Sequence, residues 1–98
     1  METSIGILGN DFKLSTKVVE KIILKTKANT DQEHITMNIV INNNLFNKTE
    51  DELLNILNKL IQSNIDYLIL IFDNKRIFNL FKNNTNIPIY NITPKFDS

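Results

Sequence analysis

The chain has 98 residues, with eleven basic and eleven acidic side chains that leave no net charge. This length predicts one domain spanning residues 1–98, and the balanced, interspersed charges disfavour nucleic acid and membrane surfaces as partners. The chain has no cysteine, which excludes disulfides, thiolate metal sites and thiol nucleophiles. The sequence shows no secretory signal, and its longest apolar run is far shorter than the ~20 residues of a membrane span. We therefore expect a soluble, cytoplasmic protein.

The first half of the chain alternates apolar and amphipathic segments. The run from Ser4 to Gly9 is short and apolar and ends in glycine, which predicts a buried first strand. A first helix is predicted to begin near Thr16, with the apolar residues between Val18 and Ile23 on its inner face. The β-branched segment from Thr36 to Ile41 predicts a second strand, which Asn42 to Asn44 end.

The second half continues the alternation. Thr49 to Glu52 has the spacing of a capping box and predicts the start of a second helix. Ile65 to Phe72 is apolar on both alternating faces, which is typical of a central strand covered on both sides. A shorter third helix is predicted around Ile77 to Phe81. A fourth strand is predicted from Ile87 to Tyr90, where Pro88 favours an edge position.

Six short segments of the chain together resemble the aspartate/glutamate racemase family. They are Ile5 to Gly9, Leu14 to Thr16, Lys25 with Thr26, Asp31 to His34, Ile41 to Asn43 and Ile87 to Ile89. Many nucleotide-binding folds share the first segment, whereas its ordered combination with Asp-Gln-Glu-His is fairly specific. The resemblance covers nearly the whole chain, but only the first of the two lobes that such racemases possess.

The alternation of strands and helices predicts an α/β fold with a parallel sheet and right-handed crossovers. We expect four strands in the order 2-1-3-4 and three helices, resembling one lobe of these racemases. In the racemases two such lobes face each other across a cleft, and each contributes one cysteine to an acid and base pair acting on opposite sides of the substrate Cα. Here Asp73 stands at the family's cysteine position, while Asn74 is kept. The glycine-rich loop of the family reads Gly-Asn-Asp-Phe-Lys at residues 9–13. We therefore expect half of the cleft, and both thiols, to be missing.

Five side chains are candidate ligand-binding groups, and none is predicted to be catalytic. They are Asn10, Thr16, Asn42, Asp73 and Asn74. Asn42 and Asn74 match family positions that resemble binders of the substrate carboxylate, and Thr16 matches a threonine at the start of a helix, where backbone N–H groups favour an anion. Asp73 follows a central strand, at the end where open α/β sheets bind ligands. The alternative is that these residues are ordinary turn and cap residues, with Asp73 capping the helix that follows.

We expect no metal and no cofactor. Asp31, Glu33 and His34 offer two carboxylates and one imidazole on a polar connection, which is more typical of a solvated loop than of a metal site. The phenyl ring of Phe12 is predicted to tuck beneath the first helix rather than to face a partner.

The handedness of the crossovers predicts incomplete cover of the sheet. The first helix is expected on one face and the other two helices on the opposite face. Because residues 67 to 72 are apolar toward both faces, we expect a homodimer or an obligate protein partner to bury the face beside the first helix. The alternative is that Thr93 to Ser98 folds back over that face.

The leading hypothesis is a pseudoenzyme: a non-catalytic, truncated racemase-like protein that acts as a binding or interaction module, toward a small carboxylate or an amino acid. The alternative is a racemase-like isomerase whose site is completed by a second subunit. The absence of thiols weighs against the enzyme. A decaying gene fragment is a third hypothesis, and the intact apolar faces of the strands weigh against it.

Overall fold

A computed structural model describes residues 2–10, 20 and 34–92. Four strands form one parallel sheet: β1 (Glu2–Gly9), β2 (His34–Ile41), β3 (Tyr67–Ile71) and β4 (Ile89–Asn91). The helices are α1 (Glu50–Gln62) and α2 (Lys75–Lys82), with a short 3-10 helix at Leu45–Asn47. The strand order is β2-β1-β3-β4, which confirms the predicted α/β sheet and its order.

Three helices were expected, and the described residues contain two α-helices. The helix predicted to begin near Thr16 falls outside the described residues, apart from Glu20, which is helical and exposed. The predicted position of Phe12 and the fold-back of residues 93–98 also lie outside the described part of the chain.

Local hydrogen bonds explain where α1 begins. The Thr49 hydroxyl accepts a hydrogen bond from the Glu52 backbone N–H at 3.3 Å, and the Glu52 carboxylate accepts one from the Thr49 N–H at 3.1 Å. This is the predicted capping box, and it satisfies two donors that the first turn of a helix leaves unpaired. One side of the helix then buries Leu53, Leu57 and Leu60 against the sheet.

The bounds of β3 and β4 differ from the predictions where side chains or proline replace the regular backbone hydrogen bonds. β3 begins two residues later than predicted, because Asp66 binds β1 partly through its side chain. Its N–H donates to the Ser4 carbonyl at 2.7 Å, and its carboxylate accepts from the Ser4 N–H at 2.8 Å. β4 begins at Ile89, two residues later than predicted. Pro88 has no N–H, and its carbonyl accepts from Leu68 at 3.0 Å. The edge position predicted for this strand is confirmed.

The sheet has two apolar faces. The helix-covered face joins strand residues to α1 and α2, and its buried side chains include Leu8, Leu68, Leu70, Phe72, Leu53, Leu57, Ile77 and Phe81. The isoleucine face is defined by four buried side chains, Ile5, Ile7, Ile69 and Ile71. Since the last two are 4% and 2% exposed within the single chain, the centre of the face that was expected to need a partner offers little free surface.

No helix in the described part of the chain is both long enough and apolar enough to cross a membrane.

Candidate functional site

The carboxyl edge of the sheet gathers four of the five candidate residues. β2, β1 and β3 are neighbours in the sheet and run in parallel, so their carboxyl ends lie side by side. Asn42 follows β2, Asn10 follows β1, and Asp73 and Asn74 come just after β3. We call these four residues the carboxyl-edge site. The fifth candidate, Thr16, lies outside the described residues.

Asn10 and Asn42 both hold the turn that leaves β2. The Asn42 N–H donates to the Gly9 carbonyl at 3.0 Å, which extends the ladder between β2 and β1 by one step. The Asn42 side-chain oxygen accepts from the Asn44 N–H at 2.9 Å, and the Asn10 side-chain oxygen accepts from the Leu45 N–H at 3.2 Å. Leu45 is fully buried, so its side chain anchors the turn in the core.

Asn74 caps α2. Its backbone is extended, and its side-chain oxygen accepts a hydrogen bond from the Ile77 N–H at 3.0 Å. The interpretation that Asp73 caps this helix is therefore wrong: the cap is one residue later, because only that side chain reaches the N–H of the first turn. Asp73 is exposed and has no hydrogen-bond or ion-pair partner among the described residues.

The three asparagines use the same half of their amide groups. Each side-chain oxygen of Asn10, Asn42 and Asn74 accepts a backbone N–H. An amide has one acceptor oxygen and one NH2 donor, so this pattern fixes the orientation of each amide and leaves the Nδ2 groups as donors. None of these three Nδ2 groups has a partner within the described residues. The edge thus presents three amide donors.

Arg76 is a residue that the sequence reasoning missed. Its Nη2 donates to the carbonyls of Phe46 and Lys48 at 3.3 and 3.4 Å. The ring of Phe46 also meets Phe72 edge-on, with 5.6 Å between the ring centroids. These contacts hold the 3-10 helix over the end of β3 and place a guanidinium beside the carboxyl-edge site. Its place in the sequence, two residues after Asn74 and the only arginine of the chain, marks it as a candidate, but its contacts with residues 46 and 48 are not visible in the sequence.

The chemistry of this edge suits binding better than catalysis. Amide N–H groups and a guanidinium donate hydrogen bonds to carboxylates, while the exposed carboxylate of Asp73 accepts them from an ammonium group. The described residues contain no cluster of three or more histidine, cysteine, aspartate or glutamate side chains able to hold a metal ion. The alternative metal ligands Asp31 and Glu33, and the side chain of His34, lie outside the described part.

Comparison with known proteins leaves the family open. No family model matches the sequence, and no curated protein and no solved structure matches the chain. The likeness to the racemase family therefore rests on the short segments quoted above.

Proposed function

We propose that this chain is a non-catalytic, racemase-like binding module that holds a small carboxylate or an amino acid at the carboxyl-edge site. The observation that carries the proposal is the hydrogen bonding of the side-chain amides of Asn10, Asn42 and Asn74, which is the same in all three. Their oxygens are occupied by backbone N–H groups and their Nδ2 groups have no partner in the described part of the chain.

The proposed binding mode matches donors to the ligand's charges. The Nδ2 groups donate to the ligand carboxylate. The guanidinium of Arg76, which is held by the carbonyls of Phe46 and Lys48, adds a positive charge nearby. Asp73 then accepts from an α-ammonium group. An α-amino acid presents both groups within a few ångströms of each other, so we expect amino acids to bind more tightly than simple monocarboxylates.

The absence of catalysis follows from the groups required for inversion. Racemisation needs a base on one side of Cα and an acid on the other. The chain has no cysteine, and Asp73 is the only acidic member of the carboxyl-edge site. A single carboxylate without an opposing acid does not invert a stereocentre, and a carboxylate is a far weaker base than an activated thiolate.

A thermal-shift and calorimetric screen tests the binding proposal. The panel contains both enantiomers of aspartate and glutamate, with malonate and succinate, and uses putrescine as a control that lacks a carboxylate. A ligand present at 100 times its dissociation constant stabilises the folded chain by about 2.7 kcal/mol. We expect stabilisation by carboxylates and none by putrescine. Failure of every carboxylate at millimolar concentration would contradict the proposal.

Matched substitutions locate the site. Asn10→Asp and Asn42→Asp keep an oxygen for the backbone N–H but replace the amide donor with a negative charge. We expect each to abolish carboxylate binding while the fold is retained. Asn58→Asp, on the exposed side of α1, is the control and should bind as the unchanged chain does. Equal binding by all three variants would place the ligand elsewhere.

The alternative isomerase has its own test. Each enantiomer of aspartate and glutamate is incubated with the chain in deuterated water, and deuterium at Cα is measured by mass spectrometry. We expect no incorporation above a control without protein. Incorporation that scales with chain concentration would show that an assembled site performs proton abstraction.

A further inference from the structure

The two edges of the sheet are protected to different degrees. β4 is three residues long and follows a proline, and both features discourage pairing with another strand. β2 is eight residues long, and from Ile35 to Ile41 it contains no proline and no charged side chain. No strand lies beyond β2 in the sheet that the structure describes. A long, uncharged edge of this kind is a template for another strand.

The backbone groups that face outward from β2 can be identified. Asn42 donates its N–H to the Gly9 carbonyl, so the even-numbered residues of this segment direct their backbone groups toward β1. Successive residues of a strand alternate between its two neighbours. The N–H and C=O groups of Ile35, Met37, Ile39 and Ile41 therefore point to the open edge.

We propose that a second copy of this chain pairs with β2 in antiparallel fashion, about a twofold axis at Asn38, to form one continuous eight-stranded sheet. In this register Ile35 lies opposite Ile41 of the second copy, and Met37 lies opposite Ile39. All four outward-facing residues then form hydrogen-bonded pairs, and each such pair exchanges two backbone bonds. About eight hydrogen bonds result. This inference goes beyond the proposed function, because it does not involve the carboxyl-edge site.

The side chains of β2 are compatible with the same axis. Ile39 is 46% exposed, and pairing would place it beside Met37 of the second copy, apolar against apolar. On the other face Thr36 lies opposite Val40, and Asn38 lies opposite its own copy. The sequence of β2 is thus self-complementary about its centre, as a twofold interface requires. This self-complementarity favours a second copy over an unrelated extended peptide.

The charges near β2 do not oppose this pairing. The segment from Ile35 to Ile41 has no charged side chain, so antiparallel pairing brings no like charges together along the strand.

Sedimentation velocity over a range of chain concentrations tests the proposal. We expect the unchanged chain to approach twice its mass of 11.4 kDa. Ile39→Lys places a charge on the edge and should give a monomer with an unchanged circular dichroism spectrum. Tyr90→Lys is the matched control, since Tyr90 lies in the same row of the sheet, on the opposite edge, and is 55% exposed. It should remain dimeric.

A cysteine at the twofold axis tests the register independently of the lysine variants. Residues at a non-hydrogen-bonded antiparallel pair have Cα atoms about 4.5 Å apart, which is within the range of a disulfide. In this cysteine-free chain, Asn38→Cys should form an intermolecular disulfide quickly under mild oxidation. Asn91→Cys, on β4 and the same face, should do so only slowly. A chain that stays monomeric to millimolar concentration, dimers that survive Ile39→Lys, or equal oxidation rates of the two cysteine variants would each overturn the proposal.

Discussion

The core beneath the two helices and the carboxyl edge of the sheet are built from opposite kinds of residue. Under α1 and α2 the buried side chains are leucine, isoleucine and phenylalanine, which stabilise the fold by apolar burial and close packing. At the carboxyl edge Asn10, Asn42 and Asn74 are polar: the side-chain oxygen of each accepts the backbone N–H of another residue, while its Nδ2 group has no partner among the described residues.

This difference means that stability and binding can be separated at the edge but not in the core. Removing atoms from the core leaves a cavity, whose cost grows with its volume. Exchanging an edge asparagine for aspartate preserves the oxygen that accepts the backbone N–H. The change replaces the Nδ2 donor, which is the group proposed to contact the ligand, with a negatively charged oxygen. Substitutions in the two regions should therefore differ both in size and in kind.

The largest loss of stability is expected from Phe81→Ala. Phe81 is fully buried at the end of α2, and truncating a buried phenylalanine costs about 3–5 kcal/mol. That is a large part of the 5–15 kcal/mol by which most domains are stable. Urea unfolding followed by circular dichroism measures it. Phe78→Ala, at a partly exposed position of the same helix, is the control and should lose much less; equal losses would contradict the proposed role of burial.

The next effect tests how closely the helix-covered face is packed. A Cβ added at Gly6 would lie 2.7 Å from Cδ1 of Ile65 and 3.3 Å from Cδ1 of Leu68. Gly6→Ala should therefore cost about 1–3 kcal/mol, as other overpacked cores do. Ile65→Val removes the closer atom, so the double variant should be more stable than the sum of the single losses predicts. Strictly additive losses would show that the two side chains do not compete for space.

Asn74 gives the sharpest contrast between stability and binding. Asn74→Ala removes the cap of α2 and should cost about 1 kcal/mol. Asn74→Asp keeps an oxygen for the Ile77 N–H, and its negative charge suits a helix N-terminus, so it should be as stable as the unchanged chain. We expect both variants to weaken carboxylate binding. Urea unfolding and ligand titration of the same samples separate the two roles; full binding by the aspartate variant would exclude the Nδ2 donor.

The smallest effect is a pH dependence at the start of α1. Hydrogen bonds from the backbone N–H and the hydroxyl of Thr49 lower the pKa of Glu52 below its ordinary value, and nearby Lys48 contributes less. Because the folded pKa is the lower one, this stabilisation is complete above the ordinary glutamate pKa of about 4.3 and is lost as pH falls through the lowered pKa.

Unfolding curves of Glu52→Gln between pH 7 and pH 3 measure that contribution. Glutamine keeps the capping-box geometry without a titrating group, so the acid-induced loss should be smaller than in the unchanged chain. Glu50→Gln, two residues earlier in the same first turn, is the control and should retain the loss. An identical acid-induced loss in all three chains would exclude Glu52 as its source.

Much of the sheet could be predicted because burial and capping leave local patterns. The apolar run before Gly9 and the spacing from Thr49 to Glu52 depend on residues close in sequence, and both predictions are confirmed. Pro88 predicted an edge strand for an equally local reason, since it lacks a backbone donor.

The missed features depend on contacts between distant residues. Leu45 is buried by a turn that Asn10 holds from 35 residues away, and Arg76 reaches a carbonyl 30 residues away. Contacts between residues so far apart in the sequence cannot be predicted from the local pattern around either residue. The same limit applies to the asparagines: the sequence predicted that Asn10, Asn42 and Asn74 matter at the edge, but not which end of each amide is occupied.

The side-chain amide resonances of the asparagines report directly whether a ligand contacts the Nδ2 groups of the carboxyl-edge site. A nitrogen-15-labelled chain is titrated with L-aspartate, and the Nδ2 signals are followed by heteronuclear NMR. We expect saturable shifts of the Nδ2 signals of Asn10, Asn42 and Asn74. The signals of Asn58 and Asn79, on the exposed sides of the helices, should stay in place. Unmoved signals from the three edge asparagines, at concentrations that stabilise the chain, would contradict the proposed binding mode.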